Sequence, residues 1–73
     1  MYVMKAEAMQ TGIVNCLRLH IHSEPTLESE IVCKVRYLTE LEIDVKNSVK
    51  EFYKVFTATG AAGFCQKEYV TIK

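Results

Sequence analysis

The chain has 73 residues, 49% of them hydrophobic, and its 9 Lys and Arg balance its 9 Asp and Glu. A chain of this size and composition predicts one small folded domain and argues against disorder. The zero net charge argues against nucleic-acid binding and against docking on an anionic membrane. No apolar run is long enough to span a bilayer, so we expect no membrane partner.

Apolar and polar side chains alternate with a period of two in several runs, which is typical of half-buried strands. The clearest alternating runs are residues 17–22, 31–37 and 40–46. Two further apolar runs, separated by turn residues, cover 51–59 and 63–66, and residues 67–73 predict a short turn followed by a final strand. Five or six short strands with tight connections predict an all-β fold, a small barrel.

Two histidines, His20 and His22, fall on one face of the first alternating run, and Cys16 shares that face if the alternation is unbroken. Two imidazoles and a thiolate could bind zinc, but no second Cys/His pair follows at a recognisable spacing. A Cys–His hydrolase needs a cleft that so short a chain can hardly build. We therefore expect exposed strand histidines, with no catalytic residues, no metal and no cofactor.

Three acidic residues, Glu40, Glu42 and Asp44, line one face of another run. Paired carboxylates can do acid–base chemistry. The strand period already explains them as a solvated face, so we expect them to lie opposite Lys or Arg across the sheet. The three cysteines are an odd, widely spaced set, which does not predict a disulfide framework.

From Thr11 to Lys73 the chain resembles the bacterial Src-homology-3 (SH3-like) domains. The segments that carry the resemblance, in order, are "GIVNC", "LHIHSEPT", "EIVCKVRYLTELEI", "EFYKV" and "AGFCQKEYV". The resemblance implies an SH3-like barrel over residues 11–73, with 1–10 as an N-terminal extension or extra strand. Here Leu38 stands where the family has a turn glycine, so we expect altered turn geometry, because glycine enters positive φ freely.

The resemblance further implies a non-catalytic module that binds a peptide-like ligand, with bacterial cell-wall peptide as the family's usual target. On this analogy the ligand-binding residues are His22, Glu24, Tyr37 and Phe52. The alternative is that the aromatic rings are all core, because a chain this small needs them for stability.

A second hypothesis is a structural or assembly protein, such as an accessory component of a phage-type particle or a self-associating module. Its motivation is apolar residues outside the barrel strands, since exposed apolar patches often mark protein contacts. These residues are Val49 in a polar loop and Tyr2, Val3, Met4 and Met9. The expected partner is thus a peptide-like ligand or another protein, with a homo-oligomer possible.

The N-terminus lacks the unbroken apolar segment of a secretory signal, so we expect synthesis in the cytoplasm. The final site, a virion or the cell wall included, stays open.

Overall fold

Seven antiparallel strands dominate the computed structural model, which describes residues 9–73. The strands are β1 (Met9–Val14), β2 (Arg18–His22), β3 (Ile31–Arg36), β4 (Glu40–Asp44), β5 (Phe52–Phe56), β6 (Ala62–Gln66) and β7 (Val70–Ile72). Two short 3-10 helices, Val45–Asn47 and Lys67–Tyr69, follow β4 and β6. No helix in the described part of the chain is long and apolar enough to cross a membrane.

The strands form one sheet in the order β3-β2-β6-β5-β4-β1-β7, which makes a small, barrel-like all-β fold. The predicted all-β class is confirmed, with seven strands instead of five or six. The additional strand is β1, whose alternation is weak because Gly12 occupies one of its buried positions. Met9 and Gln10 belong to β1, so the expected boundary at residue 11 falls inside a strand, and residues 1–8 lie outside the described residues.

The core collects the inward-facing side chains of six strands, and the predicted alternation identifies most of them. Its members are Val14, Leu19, Ile21, Leu41, Ile43, Val55, Cys65 and Val70. Cys33 and Val35 of β3 are partly buried against this cluster, whereas Ile31 at the start of the same strand is exposed. The alternation therefore predicts the inward face correctly in the middle of β3 but not at its start.

A glycine allows β2 and β6 to approach each other. A Cβ atom built on Gly63 would lie 2.5 Å from the His22 carbonyl oxygen and 2.6 Å from Ile21 Cγ2. Real Cβ atoms essentially never come this close to a neighbouring heavy atom. Any larger residue at position 63 must therefore push the two strands apart.

The turn after β3 contains a leucine in a conformation that suits glycine. Leu38 has φ of 68°, the one positive φ found at a non-glycine position in residues 9–73. Its N–H donates to the Val14 carbonyl at 2.8 Å, and the Thr39 carbonyl accepts from the Val14 N–H at 3.0 Å. The backbone thus keeps a left-handed conformation at Leu38. This conformation costs a residue with a Cβ atom about 1–2 kcal/mol.

Candidate functional site

An open cleft lies where β2 and β6 stop pairing. Within the described residues the two strands share a single pair, His22 opposite Phe64. Towards the start of β2 a cleft of about 310 Å³ separates β2 from the end of β6 and the second 3-10 helix. Residues from both sides line it, chiefly Cys16, Arg18, His20, Leu27, Gln66 and Tyr69.

The far wall of the cleft is fixed by the 3-10 helix Lys67–Tyr69. The Lys67 N–H donates to the Glu51 carbonyl at 3.0 Å, which ties the start of this helix to the segment before β5. The Tyr69 carbonyl accepts from the Asn15 N–H at 2.9 Å, which ties its end to the segment after β1. The helix is thus held at both ends, with the Tyr69 side chain at the cleft and partly packed against the core.

The mouth of the cleft is formed by the loop 23–30, which Ser29 holds together. The Ser29 hydroxyl lies within hydrogen-bonding distance of the Thr26 and Glu24 carbonyls, at 2.8 and 3.0 Å. The Ser29 carbonyl lies 3.2 Å from His22 Nδ1. A carbonyl can only accept, so this Nδ1 carries the proton. The loop is thereby tied to β2, and Leu27 reaches the cleft with most of its side chain exposed.

The lining mixes apolar, aromatic, polar and charged side chains. Leu27 and the Tyr69 ring supply apolar surface, the Gln66 amide can donate and accept, and Arg18 supplies a cation. A hydrogen bond to the neighbouring Glu68 carboxylate raises the pKa of the Tyr69 phenol, so the hydroxyl keeps its proton.

The structure does not bring the four sequence-predicted binding residues together. His22 lines the cleft but is only 6% exposed, and Phe52 is only 7% exposed. Glu24 and Tyr37 are exposed, but they flank opposite ends of the β2–β3 ladder, which runs from His22 opposite Ile31 to Arg18 opposite Arg36. Of the four, only His22 is part of the cleft lining.

The predicted exposure of His22 is wrong, and the reason is local. The register shifts between Ile21 and His22, a bulge that breaks the simple alternation of faces. The loop 23–30 then accepts the His22 hydrogen bond through Ser29. The imidazole therefore acts as a positioning group for the loop, while His20 stays exposed as predicted.

Cys16, His20 and His22 do share one surface, since all three line the cleft. The two imidazole centroids are 6.4 Å apart, and the Cys16 Sγ lies 3.4 Å from the Arg18 carbonyl that accepts from it. Within residues 9–73 no group of three His, Cys, Asp or Glu side chains could hold a metal ion. The three cysteines of the chain are free thiols, and burial raises the pKa of Cys65 to about 12.

The sequence predicts a basic partner for each of the three acidic residues on one face of β4, and two of the three have one. Glu40 pairs with the Lys73 ammonium at 3.0 Å, and Asp44 lies opposite Lys54 in the ladder. Glu42 instead lies opposite Phe56. The Asn47 side chain donates to Asp44 at 2.8 Å and lowers the pKa of this carboxyl. Glu40 and Asp44 thus belong to local pairs, whereas within residues 9–73 Glu42 has no basic residue opposite it in the ladder.

Comparison with known proteins adds no relative. No protein-family model matches the chain, and no curated protein is similar to it in sequence.

Proposed function

We propose that the protein is a small, non-catalytic binding module that takes a short peptide in the cleft between β2 and the second 3-10 helix. The observation that carries the proposal is the cleft itself, an open space of about 310 Å³ with a mixed apolar, aromatic and cationic lining. The resemblance to bacterial SH3-like domains supports a peptide-like ligand and favours bacterial cell-wall peptide.

The ligand lies extended along the gap that β2 and β6 leave open. Main-chain groups of the peptide bond to the Gln66 amide, and its apolar side chains contact Leu27 and Tyr69 at the two walls. Extended peptides are commonly held this way, with main-chain hydrogen bonds for affinity and pockets for specificity. Arg18 takes a carboxylate of the peptide, because a guanidinium binds a carboxylate through two parallel hydrogen bonds.

The test is a titration of the ¹⁵N-labelled protein with soluble peptide fragments released from bacterial cell wall. We expect amide shifts to concentrate on the residues around the cleft. Leu27→Ser removes an exposed apolar contact without touching the core and is expected to weaken binding about threefold to tenfold. Tyr37→Ala removes an exposed ring outside the cleft and serves as the matched control.

The two variants separate the cleft from the surface that the sequence alone predicts. Weakened binding in Leu27→Ser with unchanged binding in Tyr37→Ala supports the cleft. The reverse pattern transfers the site to the turn after β3. Absence of any shift at millimolar peptide removes cell-wall peptide as the ligand.

A second candidate function is a structural or assembly protein, either an accessory component of a phage-type particle or a self-associating module, and a separate surface favours such protein contacts. Val45 and Val49 are both exposed, each by 43%, around the first 3-10 helix. Exposed apolar residues that lie close together often mark a protein contact. Light scattering over a concentration series tests it: a defined oligomer that Val49→Asp dissociates supports assembly, and a monomer at all concentrations contradicts it.

A further inference from the structure

The outer face of the β2–β3 ladder carries cations without acidic partners. Arg18 lies directly opposite Arg36, and His20 lies directly opposite Lys34. All four side chains are exposed, on the face opposite the buried Leu19 of β2. Like charges directly opposite each other destabilise a sheet. We call these four residues the basic ladder.

The acidic groups of the chain do not neutralise the basic ladder. The ion pair found in the described residues joins Lys73 to Glu40, and the three acids of β4 are three strands away from β2 in the sheet order. Glu24, Glu28 and Glu30 of the loop between β2 and β3 are exposed, but no ion pair within the described residues joins them to the basic ladder. A surface with an uncompensated charge of one sign attracts a partner of the other sign.

The basic ladder also lies at an open edge. β3 is the last strand of the sheet and pairs, among the described residues, with β2 alone. Alternate residues of an edge strand direct their N–H and C=O groups away from the sheet, where an added strand can bond to them. Lys34 and Arg36 are two residues apart, about 7 Å, which is the spacing of alternate side chains in an added strand.

One end of the basic ladder is apolar. Leu17, which precedes Arg18, is 85% exposed, and Tyr37 and Leu38, which follow Arg36, are also largely exposed. The pairing of Arg18 with Arg36 sets Leu17 and Tyr37 at the same end. Leu38 retains a left-handed backbone that glycine would adopt without cost. Strained backbone of this kind is often found at ligand-binding and other functional positions.

We propose that the basic ladder and β3 form a docking surface for an acidic, extended segment of another protein. The segment adds to β3 as an eighth strand and places alternate carboxylates beside Lys34 and Arg36. Its end carries an apolar side chain that packs on Leu17 and Tyr37. Lys34, Arg36 and Tyr37 lie outside the lining of the proposed peptide cleft, whereas Arg18 and His20 of the basic ladder line it, so the two surfaces meet along β2.

Charge decides against a second copy of the chain as the occupant. Antiparallel pairing of β3 with the β3 of a second copy around Lys34 would place the two Lys34 ammonium groups opposite each other. Repulsion between such like charges is one way in which edge strands avoid pairing with themselves. Open main-chain groups and an apolar end favour a peptide over a nucleic acid, whose contacts are mostly between cations and phosphates.

The test uses the full chain and a synthetic peptide of alternating glutamate and valine that ends in leucine. In a ¹⁵N titration at low salt we expect shifts in residues 31–38. The double variant Lys34→Glu/Arg36→Glu is expected to bind about tenfold more weakly. It should fold, because Arg18 then faces a carboxylate. Lys46→Glu/Lys50→Glu makes the same change in net charge on other exposed residues and should bind like the wild type.

Three results would overturn the proposal. One is equal binding of the peptide by the two charge-reversed variants, which makes the attraction nonspecific. Another is tighter binding of a single-stranded oligonucleotide than of the peptide on the same residues, which makes the face a nucleic-acid surface. The third is a dimer in light scattering that Lys34→Glu/Arg36→Glu alters, which makes the occupant a second copy. A peptide with lysine in place of glutamate should not bind.

Discussion

Gly63→Ala is the substitution that the packing of β2 on β6 forbids most clearly. The added Cβ would meet the His22 carbonyl oxygen at 2.5 Å and Ile21 Cγ2 at 2.6 Å. The first of these atoms is backbone, so it cannot rotate away, and the strands must separate by several tenths of an ångström. Overpacking of this kind typically costs about 1–3 kcal/mol, and a backbone clash belongs at the upper end.

The expected loss is a large share of the stability of so small a protein. Unfolding entropy of about 2.1 cal/mol/K per residue gives roughly 0.15 kcal/mol/K for the 73-residue chain. A loss of about 3 kcal/mol therefore lowers Tm by about 20 °C. Thermal melting followed by circular dichroism measures it, with Ala62→Ser at the exposed neighbouring position as the control. A Tm within a few degrees of the wild type would refute the account of how β2 meets β6.

Three further predictions concern the turn, the loop and the buried thiol. Leu38→Gly should raise the free energy of unfolding by about 0.5 kcal/mol, since relief of the left-handed leucine exceeds the entropy cost of glycine; denaturant melts that show a loss instead would contradict the strain. Ser29→Ala should loosen the loop 23–30 and cost about 1 kcal/mol, visible as faster amide exchange there, whereas Ser23→Ala should leave exchange unchanged. Cys65 has its pKa raised from 9.0 to about 12, so the folded state holds the thiol proton more tightly than the unfolded chain. The resulting stability is complete below pH 9 and is lost as the pH rises from about 9 towards 12, by about 2 kcal/mol at pH 10.5. Denaturant melts across this range should fall less steeply for Cys65→Ala, and parallel curves for the two proteins would contradict the assignment.

Local patterning predicts the strands well because each inward face must be apolar over several consecutive positions. Leu19 and Ile21, or Leu41 and Ile43, show this directly, and the structure buries all four. β1 escapes the same reading because its buried position 12 is a glycine, which carries no hydrophobic signal. Ile31 lies at the start of the edge strand β3, where the sequence still alternates although the side chain is no longer buried. The alternation therefore predicts an inward face that the structure does not bury.

The cleft is harder to predict because no single segment contains it. It depends on β2 and β6 parting after one pair, and on a 3-10 helix that places Tyr69 beside β2. The sequence predicts a short turn and a final strand over residues 67–73, but it does not show that Tyr69 lies beside β2. The burial of His22 depends on a bulge and on a bond to Ser29, neither of which alternation can signal. The local patterns that predict the strands thus do not predict a site that depends on how distant strands pair.

The proposed function depends on whether the cleft beside Tyr69 binds a peptide. The most direct measurement is the ¹⁵N titration with soluble cell-wall peptide, repeated on Leu27→Ser and on Tyr37→Ala. We expect saturating amide shifts around Arg18, Leu27 and Tyr69. Leu27→Ser should weaken the binding about threefold to tenfold, and Tyr37→Ala should leave it unchanged. Shifts confined to the turn after β3, or binding that Leu27→Ser leaves untouched, would contradict it.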